Sequence, residues 1–382
     1  MERRYDLDWL RVIAFGLLIF YHIGMFFVPW GWHIKNNTIY EWLIYPMLFL
    51  NRWRMPLLFI ISGMGAALSL QKRTGLQFSK ERFIRLFIPL VFGILVIVPP
   101  QVYIERIAYN GFTGNYFDFW PSESFIGEYP TGNLSWHHLW FLPYIFTYSL
   151  ILLPLFLYLK KKPNTRFINW LSKKVSSQYS IYLFILPLFL MESFLDPFFP
   201  ITHSLFDDWF NFFYNLVLFL YGFIFITKQE LFFKTVSTYY KTYFKIGIMA
   251  FSLFLYLISF QDGWQRHFLE AAVNQINMWS WLLTFFGIAA IYLNKKSKII
   301  AYCNTAVYPF YILHQTVIVV MAYYIKDAEW NLFTKFIFLV ATTFLICFIL
   351  YHFIIRKIRI LQFVMGVKPK EKASNKVIIN TN

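Results

Sequence analysis

Apolar stretches about as long as a helix needs to cross a ~30 Å hydrocarbon core recur along the whole chain. They fall at roughly 10–28, 54–71, 84–103, 138–159, 178–195, 209–227, 244–260, 276–293, 300–324 and 333–355. Within lipid no water satisfies backbone N–H and C=O groups, so such stretches must bond internally as helices. The expectation is an all-α polytopic membrane protein of about ten transmembrane helices. Of 382 residues, 58% are hydrophobic and only 14% charged, and no soluble domain remains once the spans are counted. Residues 1–356 are expected to form one membrane-embedded domain, and 357–382 a basic, disordered cytoplasmic tail.

A net charge of +16 would suggest nucleic acid for a soluble protein, but its distribution points elsewhere. With the N-terminus and alternate connections on one side, that side holds 28 Lys and Arg against 6 Asp and Glu, and the other 7 against 13. The positive-inside rule makes the basic side cytoplasmic, both termini with it, in a multi-pass cell-membrane protein. The partner implied is the lipid bilayer, and no nucleic acid is required. Arg3 and Arg4 could open a signal peptide, but bulky PWGWHIKNN follows the apolar run, which therefore reads as an uncleaved anchor. Cys303 and Cys347 stand at no metal-ligand spacing and read as unpaired thiols.

The first span carries Arg11 at its mouth and His22 in its depth. At 100° and 1.5 Å per residue the two lie within about 20° of one helix face, roughly 16 Å apart. Ionisable groups in a bilayer mark a function or a pathway by default; a satisfied core histidine is the plain alternative. Residues 43–50 are too short to cross and are expected to form an interfacial or re-entrant piece. Arg52 and Arg54 then open the second span, where arginines also simply snorkel, and Ser62 and Gly63 lie midway along it. The small residues of 62–67 allow a neighbouring helix to approach closely. In the first basic loop Arg82 and Arg85, at i and i+3, would project two planar forks from one helix edge. They suit phosphate, in competition with ordinary positive-inside charge.

Residues 104–137, with Glu105, Asp118, Glu123 and Glu128, form the longest connection, a length that marks functional or disordered loops. His137 and His138 open the fourth span at the interface, with no third and fourth ligand at zinc spacing. Glu192 and Asp196 share one helix face near the opposite end of the fifth span, either orienting a histidine or solvated. His314 and Gln315, inside the ninth span, need partners from other helices.

The run LDWLR, with His22 after ten intervening residues, then RMPLLFIISG, RFIR, HHLWFL and YPFYILHQ, resembles the integral-membrane acyltransferase family 3 over most of the chain. Within it, WGWHI, RMPLLFIISG and HHLWFL are most similar to a branch that transfers succinyl to periplasmic glucan. The resemblance implies an O-acyltransferase. It would move acetyl or succinyl from cytoplasmic acyl-CoA (acetyl-CoA or succinyl-CoA) to a hydroxyl of an extracytoplasmic glucan or other cell-surface carbohydrate. It implies Arg11 and His22 as the family's essential pair and Arg82 and Arg85 as its RxxR motif; the chemistry of the three arginines, beside the resemblance, makes them the candidate acyl-CoA ligands. One departure stands: no acidic partner can be matched to His22.

The residues are chemically coherent beside that resemblance. Phosphates held by Arg11, Arg82 and Arg85 would let the donor's long arm carry its thioester up the bundle towards His22. A neutral histidine can take the proton of an attacking hydroxyl, and a covalent acyl-histidine is the competing course. An oxyanion stabiliser is also required, with Ser62, Tyr21 and His314 as candidates. Arg54, Ser62, His138 and His314 are candidate acyl or acceptor contacts, and Arg54 would suit a succinyl carboxylate. No permanently bound cofactor and no metal are expected. A lipid or glycan transporter would use similar spans, although the internal repeat common in transporters is missing. A structural subunit would make the Arg11–His22 geometry accidental.

Overall fold

The computed structural model describes residues 4–109 and 111–367. Among them the regular elements are helical, with one isolated bridge between Glu128 and Leu134. In chain order the main helices are α1 (Tyr5–Met25), α2 (Ile44–Gln71), α3 (Gly75–Ala108), α4 (His137–Ile151) and α5 (Leu153–Lys161). They continue with α6 (Ser180–Phe194), α7 (Trp209–Thr227), α8 (Gln229–Leu257), α9 (Trp264–Leu293), α10 (Lys298–Ile325), α11 (Leu332–Ile355) and α12 (Arg359–Val364).

Seven of these, α1, α2, α3, α7, α9, α10 and α11, are long and apolar enough to cross a membrane. Taking α4 and α5, which meet at 50°, as one broken span makes eight. Each of the ten expected stretches falls on a helix, but ten is more than length and composition support. α6 is too short: 15 residues at 1.5 Å give about 22 Å against a ~30 Å core. α8 has length to spare, but Glu230, Lys234, Lys241 and Lys245 stand along it and leave residues 246–257 as its longest stretch free of charge.

Three local expectations change as well. Residues 43–50 form no separate interfacial piece, because the helix of α2 begins at Ile44 and continues through Pro56. The long connection is shorter than expected, since α3 runs on to Ala108 and carries Glu105 with it. Part of it is a capped helix, Tyr116–Ser122, started by the Asn115 side chain. The tail is helical over α12, which packs on the middle of α3; residues 368–382 lie outside the described residues.

α1 is the axis of the bundle, packed against α2, α10, α11 and the end of α9. α2 and α7 approach each other backbone to backbone. A Cβ on Gly63 would stand 1.9 Å from the Phe219 carbonyl oxygen, and one on Gly222 2.0 Å from that of Ile60. Without a hydrophobic drive between helices in lipid, such small-residue contacts supply close packing instead. Gly63→Val is therefore expected to cost about 2 kcal/mol or more, since backbone atoms cannot move aside as a side chain can. A thermal-unfolding midpoint in detergent equal to that of the unaltered protein would refute this.

α3 starts with a reciprocal cap. Thr74 Oγ1 accepts from the Gln77 amide, and the Gln77 side chain accepts from Thr74 N–H. That cap sets the phase at which Arg82 is presented. The next five residues, Phe83–Phe87, form a π turn, so Arg85 does not follow Arg82 at the ordinary α-helical angle.

Candidate active site

Two polar regions lie at the two ends of the face of α1 that carries Arg11, Phe15, Leu18 and His22. The first is a cavity of about 570 Å³, within the usual range for ligand pockets, lined by Arg11, Arg82 and Arg85 together with Arg4, Lys72 and Arg73. Arg11 donates to Asn304 Oδ1 at 3.0 Å and lies 3.7 Å from Asp8. Gly65 leaves it room: a Cβ there would stand 3.8 Å from Arg11 Nη2. Arg82 stacks over Phe78 at 4.6 Å, and its Nε is buried without an acceptor. Arg85 lies 3.8 Å from Glu81, which also accepts from Ser69 at 2.6 Å and Arg73 at 3.1 Å. Ser62 belongs to this cavity too, at a distance from His22. A second basic cavity, about 1080 Å³, adjoins the first across Glu81 and Arg85 and brings in Lys80, Arg356 and Arg359.

Above the first cavity an aromatic floor separates the two regions. Phe15 meets Phe141 at 6.5 Å and Tyr311 at 5.2 Å, and Phe141 meets Tyr311 at 6.4 Å.

Beyond the floor lies a cluster of histidines. The rings of His22 and His314 stack 7° from parallel, and His22 Nδ1 is 2.8 Å from His314 Nε2. The Tyr311 carbonyl lies 2.7 Å from His314 Nδ1. A carbonyl can only accept, so His314 Nδ1 carries its proton and its Nε2 is the bare nitrogen of the neutral ring. That nitrogen then accepts from His22 Nδ1–H, which leaves the lone pair of His22 on Nε2. The orienting group absent from the sequence reading is thus an imidazole braced by a helix carbonyl. Its position in α10 is 292 residues from His22.

His138 is also held in one tautomer. It donates from Nε2 to the Ile312 carbonyl at 3.0 Å, its ring stands edge-on to His314 at 5.2 Å, and its buried Nδ1 has no partner. Arg54 is 3% exposed, with its guanidinium 3.8 Å over the Tyr21 ring, whose own neighbour is His22 at 5.9 Å. Such burial does not suit a snorkelling arginine, whose charged head stays in water.

Several site residues escaped the sequence reading. His33 Nδ1–H donates to Glu105, while His33 Nε2 accepts from Gln315, whose amide also donates to Gln101 at 3.0 Å. Tyr129 hydroxyl donates to Glu105 at 3.1 Å. Trp32 lies 5.3 Å from the His22 ring. The loop carrying Trp32 and His33 is tied down by Lys35, which donates to the carbonyls of Met25, Val28 and Trp30; burial lowers this ammonium to about 8. The available signal was WGWHI itself, a histidine among aromatics just past His22. Glu192 accepts from Asn274 and Gln275, and among the described residues the histidine near the Glu192–Asp196 pair is His267, beside Asp196.

The sequence profile of the acyltransferase domain matches residues 4–352. Glucans biosynthesis protein C from Salmonella paratyphi B, from Salmonella heidelberg and from Salmonella agona is in each case 27% identical over 170 residues, covering 43% of this chain and 41% of the relative. The match thus spans about two fifths of the length of these curated relatives. No solved structure matches the chain.

Proposed function

Because the chain belongs to this family of membrane acyltransferases, we propose that it moves an acyl group from cytoplasmic acyl-CoA to a hydroxyl of an extracytoplasmic carbohydrate. One observation carries the reading. Arg11, Arg82 and Arg85 line a single cavity at one end of α1, and the oriented His22–His314 pair stands at the other. Anionic phosphates are attracted to the first, and proton transfer from a hydroxyl suits the second.

In this reading the basic cavity and both termini face the cytoplasm, with α6 and α8 completing ten passes through the cell membrane. Charge supports it, since 28 of the 35 basic residues then lie on the cytoplasmic side. The donor's phosphates bind among Arg11, Arg82 and Arg85, with the adjoining basic cavity extending the anionic surface. Its arm passes the floor of Phe15, Phe141 and Tyr311, which must part to admit it. His22 Nε2 then removes the acceptor's proton as its oxygen attacks the thioester carbon. The tetrahedral adduct collapses, expelling CoA thiolate, and the proton held by His22 goes to that sulfur. Acetyl or succinyl is the group moved. A glucan is the acceptor favoured by the relatives' name.

The test is acyl transfer by the purified full-length protein in detergent, with acetyl-CoA or succinyl-CoA and a glucan oligosaccharide. Free CoA released only when acceptor is present, with an ester found on the sugar, is the expected result. No acceptor-dependent CoA release from either donor would overturn the proposal.

A further inference from the structure

Arg54, in α2, is a buried and poorly compensated charge. It is 3% exposed, its Nε and Nη1 are buried with no hydrogen-bond acceptor, and no carboxylate of the described residues pairs with it. The guanidinium rests on Tyr21 and shares a side-chain hydrogen bond with it, while the Tyr21 hydroxyl donates onward to Asn51 Oδ1 at 3.3 Å, so Nε and Nη1 are the groups left over. A buried cation left without an anion costs several kcal/mol, and a site that retains one is built for an anion that arrives with the ligand.

The chemistry next to Arg54 produces such an anion. When a hydroxyl adds to a thioester, the carbonyl oxygen becomes an oxyanion, and fixed donors aimed at it are the usual source of rate. The other candidates are engaged, misplaced or uncharged. His314 donates from Nδ1 to Tyr311 and accepts on Nε2 from His22, so it has no N–H left. Ser62 lies in the basic cavity on the far side of the aromatic floor. Trp32 Nε1–H is buried and unengaged beside His22, but it is neutral. Arg54 alone combines unengaged N–H groups with a charge acting on both His22 and His314.

Resting on the acyl-transfer reading above, we propose that Arg54 is the oxyanion-binding residue of the reaction. The carbonyl π electrons move onto oxygen as the hydroxyl oxygen bonds to carbon, and Arg54 N–H groups hold that oxygen. On collapse the electrons return to re-form C=O, and the C–S bond breaks. Oxyanion binding exists only in the transition state, so its loss lowers kcat for any acyl chain. A carboxylate anchor would instead act on a succinyl donor in its ground state.

The experiment compares the unaltered protein with Arg54→Gln and Arg54→Lys, using acetyl-CoA and succinyl-CoA with a glucan oligosaccharide, and measures unfolding midpoints alongside. For Arg54→Gln the expected result is a fall in kcat of about a hundredfold on every donor the unaltered protein uses, with KM changed less than about threefold. Arg54→Lys keeps the charge and should recover part of the rate. A rise in KM confined to succinyl-CoA, with kcat kept, would overturn the proposal and identify a carboxylate anchor. A rate for Arg54→Gln within about threefold of the unaltered protein would also overturn it. If both variants fail to fold, oxyanion binding is overturned in favour of a structural role. If the unaltered protein transfers from neither donor, the acyl-transfer reading itself fails and takes this inference with it.

Discussion

Replacing His22 by alanine is expected to lower acyl transfer by about a thousandfold, because general-base catalysis is typically worth 10²–10⁴. The expectation follows from the hydrogen-bond chain. Tyr311 carbonyl, His314 and His22 are linked at 2.7 and 2.8 Å, and each link dictates which nitrogen of the next ring carries the proton. The outcome of that chain is a lone pair on His22 Nε2, the one nitrogen of the pair with nothing to hold. Activity should fall as pH drops low enough to protonate this nitrogen. His22→Ala should lose that acid limb along with the rate. His314→Phe keeps the base but removes its brace, so it should retain the limb with a rate lowered by about tenfold. Undiminished transfer by a well-folded His22→Ala protein would move the base to His138, whose Nδ1 is also bare and buried. An acyl group found on His22 in donor-loaded, acceptor-free protein would replace direct transfer by a covalent course.

The second large effect concerns donor binding. The double replacement Arg82→Gln with Arg85→Gln is expected to raise the donor KM by about 10²–10⁴ while kcat stays within a few fold, each charge-assisted hydrogen bond being worth about 1.5–3 kcal/mol. Arg82 has an unengaged buried Nε, whereas Arg85 is spread over Glu81 and a 3.5 Å contact with the Gly366 carbonyl. Arg82 should therefore carry the larger share. The salt dependence of donor affinity should weaken with it, as screened charges are removed. A variant in which kcat collapses while KM holds would place these arginines in the chemistry instead. Since Arg85 touches the segment after α12, the unfolding midpoint has to be compared before KM is interpreted.

Much of this architecture is written in local patterns. Apolar runs locate the helices, since desolvation of the backbone acts on each stretch independently of its neighbours. The Arg11–His22 face follows from helix geometry alone, and the small residues of 62–67 announce a close contact, realised at Gly63 against α7. The motif segments that suggested an acyltransferase family fall within the domain match over 4–352. Length and composition support seven spans, or eight with the broken pair, and leave the expected ten unconfirmed, because hydropathy along a sequence does not give the length of a helix such as α6, which has 15 residues. The separate 43–50 piece failed for a related reason: Arg52 and Arg54 look like a boundary in sequence, yet one helix runs straight through them.

By itself, then, the sequence determined a helical membrane protein with an arginine and a histidine at opposite ends of one helix face. It also determined a second pair of arginines at the basic end of α3. Only tertiary packing decided what those groups meet. His314 reaches His22 from 292 residues away, Arg82 and Arg85 join Arg11 through a π turn, and Arg54 ends up buried on Tyr21 with no anion beside it. The physical reason is that periodicity along a helix depends on residues three or four apart. Which side chains share a pocket depends instead on how separate helices pack, and no local pattern encodes that.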